Sequence, residues 1–427
     1  SLELPGGVPT AGWGVYILFA ATLSGSIAAM GLYSPRLRER ISGLVLRLLC
    51  AALLAFVILV LAWFGFGVKA PGLLEMASAL GVALVTNLVI RIAVSRLAGE
   101  DFLKIRVLVY GAGWQARSIA GLRRRTDRVG FRVVGFVPSD SDRHGMEGLN
   151  TVDAGDGLLQ YCRRHQVDEI VVAMDDRRQS FPVRELLLCR MHGIDVTELM
   201  SFLERETGKV RLDVLNPSWM IFSEGFRRTG LRNRVSRALD ILASLMLLAV
   251  AWPVMLLVVL AIKIEDGPRS SVLYRQLRVG QDGRLFEALK FRSMRPDAEA
   301  DGIARWADVQ DDRVTRVGAL MRQTRIDELP QLLNVLRGDM RFVGPRPERP
   351  EFVETLSDSV PYYRERHCVK PGLTGWAQLC YPYGSSEQDA IEKLQYDLYY
   401  IKNRTLLFDL AILLQTIEVV VFSKGAR

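Results

Sequence analysis

Three long apolar runs open the chain, four short β-rich segments alternate with helical ones behind them, and a fourth apolar run is interrupted by proline. Together these predict a membrane protein of α and α/β class. N-terminal transmembrane helices over 1–100 lead into a Rossmann-like parallel-sheet module over 101–225 and an α-rich part over 226–427. Hydrophobic residues make up 49% of the 427, and the excess sits in the first hundred residues and in one later block.

The first runs, Trp13–Tyr33, Leu44–Phe66 and Leu73–Val94, are each about the 20 residues that cross a bilayer core. Arginines in Ser34–Arg47 place that loop in the cytoplasm, the short turn at Lys69 faces outside, and "RIAVSRLAGEDFLKIR" returns inside. Ser1 then lies outside, and an opening without Met or signal peptide makes one more span upstream an expectation. The formal net charge is +8, which suits nucleic acid or an anionic membrane. The basic clusters flank apolar runs, so membrane lipid is the expected partner and nucleic acid is not. Five cysteines without a CxxC pair and four histidines without ligand spacing argue against disulfides and zinc.

"KIRVLVYGAGWQARSIAGLRRR" reads as strand, glycine turn and helix, and "FRVVGFVPSD", "DEIVVAM" and "GIDVTEL" as three further strands, with a helix around Gly155–His165. Alternation of this kind implies a parallel, doubly wound sheet. Gly111, Gly113 and Ala116 occupy the positions of a dinucleotide fingerprint. The acid that should follow the second strand is poorly placed, since Pro138 and Ser139 come before Asp140. Nucleotide binding is therefore left open, and redox chemistry is not expected.

The fourth apolar run, Ile241–Ile262, is broken at Trp252-Pro253. A kinked full span is the reading that sequence alone favours. Each half would rise roughly 17 Å, about half of the hydrocarbon core, so a hairpin entering and leaving on one face is the alternative. Arg234 and Arg237 on one flank, with Lys263 and Arg269 on the other, could then reach one headgroup layer. The C-terminal "LLFDLAILLQTIEVVVF" carries Asp409, Gln415 and Glu418, which makes it interfacial or docked on a core rather than spanning.

"RIDELPQLLNVLRGDMRFVGPRPERP" concentrates the chemistry. Leu329, Leu332, Leu333 and Leu336 form a helical stripe, Pro330 suits the first turn and Gly338 a stop. Asp327 and Glu328 should thus lie at a helix N-terminus, where the dipole keeps carboxylates ionised. An isolated acid pair there is usually a cap. Here the neighbourhood is basic: Arg346 between prolines and beside Gly344, Arg275, Lys290 and Arg292 from a hairpin expected around Asp282-Gly283, and Lys370 in "VKPGLTGWAQ" with Trp376. Two carboxylates among such groups suit a divalent metal with a phosphate ester.

From about Arg234 to Phe422 the chain resembles the bacterial sugar transferase family, the monotopic phosphoglycosyl transferases. Five motifs in order carry the resemblance: "SRALDILASLMLLAVAWPVMLLVVLAIKIEDG", "LYRQLRVGQDGRLFEALKFRSM", "DELPQLLNVLRGDMRFVGPRP", "KPGLTGWAQ" and "YDLYYIKNRTLLFDL". Three spans and a Rossmann-like module ahead of them are similar to the large members. The resemblance implies transfer of a sugar-1-phosphate from a UDP-sugar to undecaprenyl phosphate, with release of UMP, at the start of exopolysaccharide, capsule or O-antigen synthesis. It implies Asp327 as the nucleophile, Glu328 as its partner at Mg²⁺, and both as metal ligands. Arg346 and Lys290, with Arg292 and Arg275, would bind phosphate, and Lys370, Pro371, Gly372 and Trp376 would hold the uridine end. It further implies a re-entrant helix over 238–263, a catalytic domain on the cytoplasmic face of the inner membrane, and a homodimer. The family often has a small polar residue before the proline where this chain has Trp252.

A membrane-anchored nucleotide-sugar dehydratase or epimerase would need a Tyr-x-x-x-Lys pair, and none of the twelve tyrosines has Lys four residues on. A scaffold or nucleotide sensor would account for the Rossmann-like half but not for the acid pair and its basic loops.

Overall fold

The computed structural model describes residues 13–30, 41–66, 73–97, 104–122, 130–139, 148–155, 157–176, 181–215, 217–222, 230–295, 313–381 and 386–421, with Leu32, Asp142 and Gly384. The loop after the first apolar run, the Lys69 turn, Asp140 and residues 223–229 of the basic linker lie outside them. The chain divides into two compact units, Ser1–Thr207 and Gly208–Arg427.

The first unit opens with three apolar helices, α1 (Trp13–Ala29), α2 (Ile41–Phe66) and α3 (Leu73–Leu97). α1 packs on α2 and α2 on α3. Small residues allow the approach: Ala51 and Ala55 of α2 are fully buried, while Leu49, Leu53 and Val57 look outward. Arg47 enters this packing by donating to the Met30 carbonyl at 2.8 Å. Among the described residues, Leu74–Ala93 and Gly230–Asp266 are long and apolar enough to cross a membrane, and the apolar stretches Ile17–Ile27 and Arg47–Val60 are shorter.

The sheet of this unit has the four expected strands, β1 (Ile105–Tyr110), β2 (Phe131–Val137), β3 (Glu169–Val172) and β4 (Asp195–Glu198). All are parallel, in the order β2-β1-β3-β4. Helix α4 (Trp114–Ala120) follows β1, α5 (Leu158–Arg164) precedes β3, α6 (Val183–Met191) precedes β4 and α7 (Leu199–Thr207) closes the unit. Leu108, Ile170, Val172, Met174, Leu158 and Leu186 make its core. β3 is buried at every position, as expected of a strand covered on both faces.

In the second unit, α8 (Pro217–Phe222) precedes α9 (Gly230–Asp266), 37 residues of continuous helix. The interruption expected at Trp252-Pro253 is absent as a change of secondary structure. Pro253 deletes one backbone donor, the one facing the Ala249 carbonyl, and the helix continues through it. Ser236, Asp240 and Ser244, at i, i+4 and i+8, form a small polar stripe turned into protein, while Val250, Trp252 and Leu257 are more than half exposed.

The hairpin is as expected: β5 (Leu273–Val279) pairs antiparallel with β6 (Leu285–Phe291). Its turn uses φ of 54° at Asp282 and 78° at Gly283, the left-handed pair that suits strand twist. Then come α10 (Arg316–Thr324), α11 (Gln331–Arg337), β7 (Arg341–Val343), α12 (Pro350–Ser359), β8 (Gly372–Thr374), α13 (Trp376–Cys380), α14 (Glu387–Asn403) and α15 (Leu406–Val421). α15 is docked, not free: Ile412 is buried against Leu332, Val335 and Tyr400, and Asp409 receives Tyr400 at 2.7 Å. The first half of α9 packs on this core through Ala243 and Leu248, and the second half packs on Phe291 and Met321 through Met255 and Val259. Leu329 touches both clusters.

Candidate active site

Asp327 and Glu328 lie not in the first turn of α11 but in a separate 3-10 turn, Ile326–Glu328, ahead of it. Arg325 makes the difference. It adopts φ 61° at the end of α10, a conformation that costs a residue with a Cβ of order 1 kcal/mol or more. The chain reverses there, and Asp327 is carried inward until only 7% exposed. α11 is then buried on several sides, at Gln331, Leu332, Asn334 and Val335, rather than along the single leucine stripe the spacing suggests. Gly338 ends it in the left-handed region, φ 94°.

Lys290 and Arg346 converge on Glu328. Lys290 Nζ donates to Glu328 Oε1 at 2.9 Å, and Arg346 Nη2 reaches the same oxygen at 3.1 Å. Burial pushes the Glu328 carboxyl up, but Lys290 and Arg346 outweigh it and hold the group well below the usual carboxylate range. Asp327 behaves oppositely. No described residue donates a hydrogen bond to its carboxylate, burial pushes it up, Lys290 pulls it back and the charge of Glu328 adds to the rise. The expectation that a helix N-terminus holds Asp327 ionised is therefore corrected: α11 begins four residues later, and desolvation dominates.

Strand register decides which hairpin cations join. Tyr274 faces Lys290 across the pair and Arg275 faces Leu289, so Arg275 lies on the opposite face from Lys290. It is mostly exposed and pairs with Glu287 at 3.3 Å. Arg292 shares the Lys290 face but turns to Asp266 at the end of α9, at 2.6 Å, and its Nε is buried with no acceptor among the described residues.

Arg346 is held by its loop. β7 runs parallel to β8, Gly344 N donates to the Thr374 carbonyl and Gly372 N to that of Pro345, both at 2.9 Å. A Cβ on Gly344, Gly372 or Gly375 would collide with backbone of the opposing segment. Gly344 was expected to admit an anion; its missing side chain instead admits residues 370–372.

Sequence reasoning missed what anchors this loop. Arg366 Nη2 donates to the Arg346 carbonyl at 3.1 Å and to Asp397 at 2.8 Å, and Arg366 Nη1 donates to Tyr363 Oη at 2.8 Å. Arg278 Nη1 donates to the Pro347 carbonyl at 3.0 Å. Burial pushes the Arg278 guanidinium down to about 10, although Glu348 opposes this. The one available signal was an acid, Asp397, inside an aromatic-rich helix.

The remaining expected residues lie elsewhere. Lys370 Nζ donates to the Gly338 carbonyl at 2.6 Å, and Arg237 donates to those of Val335 and Leu336. Both serve the C-terminal end of α11, away from Asp327. Pro371 accepts Arg341 N at 2.8 Å. Trp376 spends its indole N–H on the Gly208 carbonyl at 2.8 Å and packs edge-on to Phe408. The structure thus gathers Asp327, Glu328, Lys290 and Arg346, and does not bring Arg275, Lys370 or Trp376 to them.

No three acidic, His or Cys groups cluster among the described residues. Two adjacent carboxylates, one receiving no donor, nevertheless match the one or two that Mg²⁺ usually takes alongside substrate phosphates. A buried acid next to an ionised partner, faced by two cations, can attack an electrophilic phosphorus and balance the charge that departs.

Two family profiles match. The CoA-binding domain profile covers residues 28–181 and the bacterial sugar transferase profile residues 231–423. Among curated proteins, the chain is 39% identical over 57% of its length to the UDP-N-acetylgalactosamine-undecaprenyl-phosphate N-acetylgalactosaminephosphotransferase of Aeromonas hydrophila, and covers 56% of it. It is 33% identical over 75% of its length to the undecaprenyl-phosphate glucose phosphotransferase of Komagataeibacter xylinus, and covers 60% of that protein. The chain therefore spans less than two thirds of either relative. It is also 31% identical over 76% of its length to the undecaprenyl-phosphate galactose phosphotransferase of Salmonella typhimurium, of which it covers 69%. On that coverage, and with the transferase profile lying across α9 and the acid pair, the chain belongs to the bacterial sugar transferase family.

Proposed function

We propose that this protein transfers a sugar-1-phosphate from a UDP-sugar to undecaprenyl phosphate and releases UMP. The observation that carries the reading is Asp327: a buried carboxylate that no described donor satisfies, beside Glu328, which Lys290 and Arg346 hold ionised. The relatives' names supply the acceptor and the reaction class.

A carboxylate oxygen of Asp327 attacks the phosphorus bearing the sugar, the bond to the bridging oxygen breaks, and UMP departs with that oxygen. The product is an aspartyl phosphosugar. A phosphate oxygen of the lipid then attacks the same phosphorus and frees the carboxylate. Splitting the transfer in this way means that soluble donor and lipid acceptor need not be bound together. Lys290 and Arg346 keep Glu328 anionic before the donor arrives and lie within reach of phosphate charge during the attack. Asp327 and Glu328 would hold Mg²⁺, which when bound offsets pyrophosphate charge.

The membrane arrangement is part of the proposal. α9 would enter and leave the cytoplasmic leaflet of the inner membrane as a bent, re-entrant helix. Three facts support this: Asp240 near one end pairs with Arg341 at 3.0 Å, Asp266 at the other pairs with Arg292 at 2.6 Å, and the apolar stretch between them is exposed at Val250, Trp252 and Leu257. The active site would then sit at headgroup height on the cytoplasmic face, with α1–α3 as further anchors. A homodimer, and a role in starting exopolysaccharide, capsule or O-antigen synthesis, rest on the family resemblance.

The test is UMP release from a panel of UDP-sugars, with and without undecaprenyl phosphate. Without lipid, sugar-labelled donor should leave label on the protein, and hydroxylamine should remove it as expected of an acyl phosphate. Turnover with no covalent label under single-turnover conditions would replace the two-step route with direct attack by the lipid.

A further inference from the structure

The match to a CoA-binding domain covers the glycine turn after β1, and in such a turn a ligand's pyrophosphate rests on backbone N–H groups at the start of the helix. The residues present do not fit that group. We infer that this turn is closed by the chain's own carboxylates, with Asp175 standing where a pyrophosphate would rest, and that it takes neither CoA nor a dinucleotide.

Four amides of the turn, those of Gly111, Ala112, Trp114 and Gln115, are already engaged. Gly111 N donates to the Val137 carbonyl at 2.8 Å, and Ala112 N to Asp142 Oδ2 at 2.7 Å. Trp114 N donates to Asp175 Oδ2 at 3.1 Å and Gln115 N to Asp175 Oδ1 at 3.0 Å. The two helix-start amides that would grip a phosphate thus grip one carboxylate, through both of its oxygens. The space confirms the chemistry: a Cβ on Gly113 would collide with the Asp175 carboxylate. The gap that glycine leaves for a ligand in a dinucleotide fold is filled here by a side chain.

Position and charge agree. The strand order reverses between β1 and β3, so the ligand crevice of such a sheet opens at their carboxyl ends. Asp175 follows β3 by three residues and reaches across that crevice to α4. Asp142, beyond β2, is the nearest described acid to the place where a ribose-binding one belongs. It is only 9% exposed and turns inward to accept Ala112 N and Ser139 N, both at 2.7 Å. Two carboxylates at the turn repel an incoming diphosphate, and α4 has only seven residues whose dipole could oppose them. The glycines of this module serve its own closure.

Hydrogen exchange of the peptide spanning Ala112–Ala116, in the full chain held in detergent, tests this directly. Its exchange should be the same with no addition, with CoA and with NAD, each at about 1 mM, a concentration that saturates any site of micromolar affinity. Protection of that peptide by CoA or NAD in the wild type would overturn the inference. In Asp175→Ala, Trp114 and Gln115 lose a charged acceptor and should exchange about tenfold faster or more. Unchanged exchange there would equally overturn it, because some other group would then be holding those amides. The wild-type comparison stands whether or not the variant folds.

Discussion

Lys290 Nζ lies 2.9 Å from Glu328 Oε1, and the carboxylate one residue before Glu328 receives no hydrogen bond from any described residue. The pair is asymmetric by construction. One acid is neutralised by cations and stays charged, while the other is desolvated and left available.

Asp327→Asn separates nucleophile from cap. Asn caps nearly as well as Asp, so a capping role predicts a loss of roughly 1 kcal/mol or less in stability and little in turnover. The expected result is a folded, membrane-inserted protein with essentially no transfer and no hydroxylamine-sensitive label. Near-normal UMP release would remove Asp327 from the role.

The pH dependence follows from the direction in which Asp327 is shifted. Attack needs the ionised form, so kcat/KM should rise with pH through a value above that of an ordinary aspartate and fall away below it. A cation on the carboxylate favours its charged form, so raising Mg²⁺ should move this limb to lower pH. Profiles at two Mg²⁺ concentrations provide the check, and a limb that stays in place would argue against Asp327 as a ligand.

Arg366→Met strands Asp397, which is 1% exposed, as an unpaired buried acid at a cost of about 3–5 kcal/mol. Pairing it with Asp397→Leu should recover much of that stability. Transfer should stay impaired in the double variant, because the Arg346 carbonyl has lost its donor. Chemical denaturation alongside kcat/KM tells the two effects apart; full recovery of both would make Arg366 purely a matter of packing.

For topology, single cysteines placed at Asp240-adjacent Leu239 and at Ile264, both exposed, should both be unreactive to an impermeant thiol reagent in intact cells and reactive after lysis, in a background with the native cysteines replaced. Periplasmic labelling of either position would favour a full span.

Much of this architecture is legible in the residues themselves. The four parallel strands follow from β-rich runs spaced by helices, and the hairpin from Asp282-Gly283, because local backbone preferences decide both. The neighbours of Asp327 are another matter. Lys290 and Arg275 look equivalent on paper, and only the register of β5 against β6 puts them on opposite faces. Trp376 and Lys370 read as ligand contacts because a sequence does not show that Gly208 and Gly338 supply their acceptors. Nor does the spacing reveal that α9 continues through Pro253, since its packing on both clusters is long-range.

The buried arginine of β7 has a consequence for how the protein is made. Arg341 lies between Asp240 of α9 and Asp409 of α15, at 3.0 and 3.3 Å. Those acids are separated by most of the second unit, and α15 follows both α9 and β7 in the chain. During synthesis α9 emerges first, the arginine follows, and the second counter-charge arrives only with α15. Until then Arg341 is half-neutralised and the core around Tyr400 has no lid. A nascent chain that has not yet reached α15 holds its acid pair on an unfinished body, so α15 completes the charge balance and the packing behind the site.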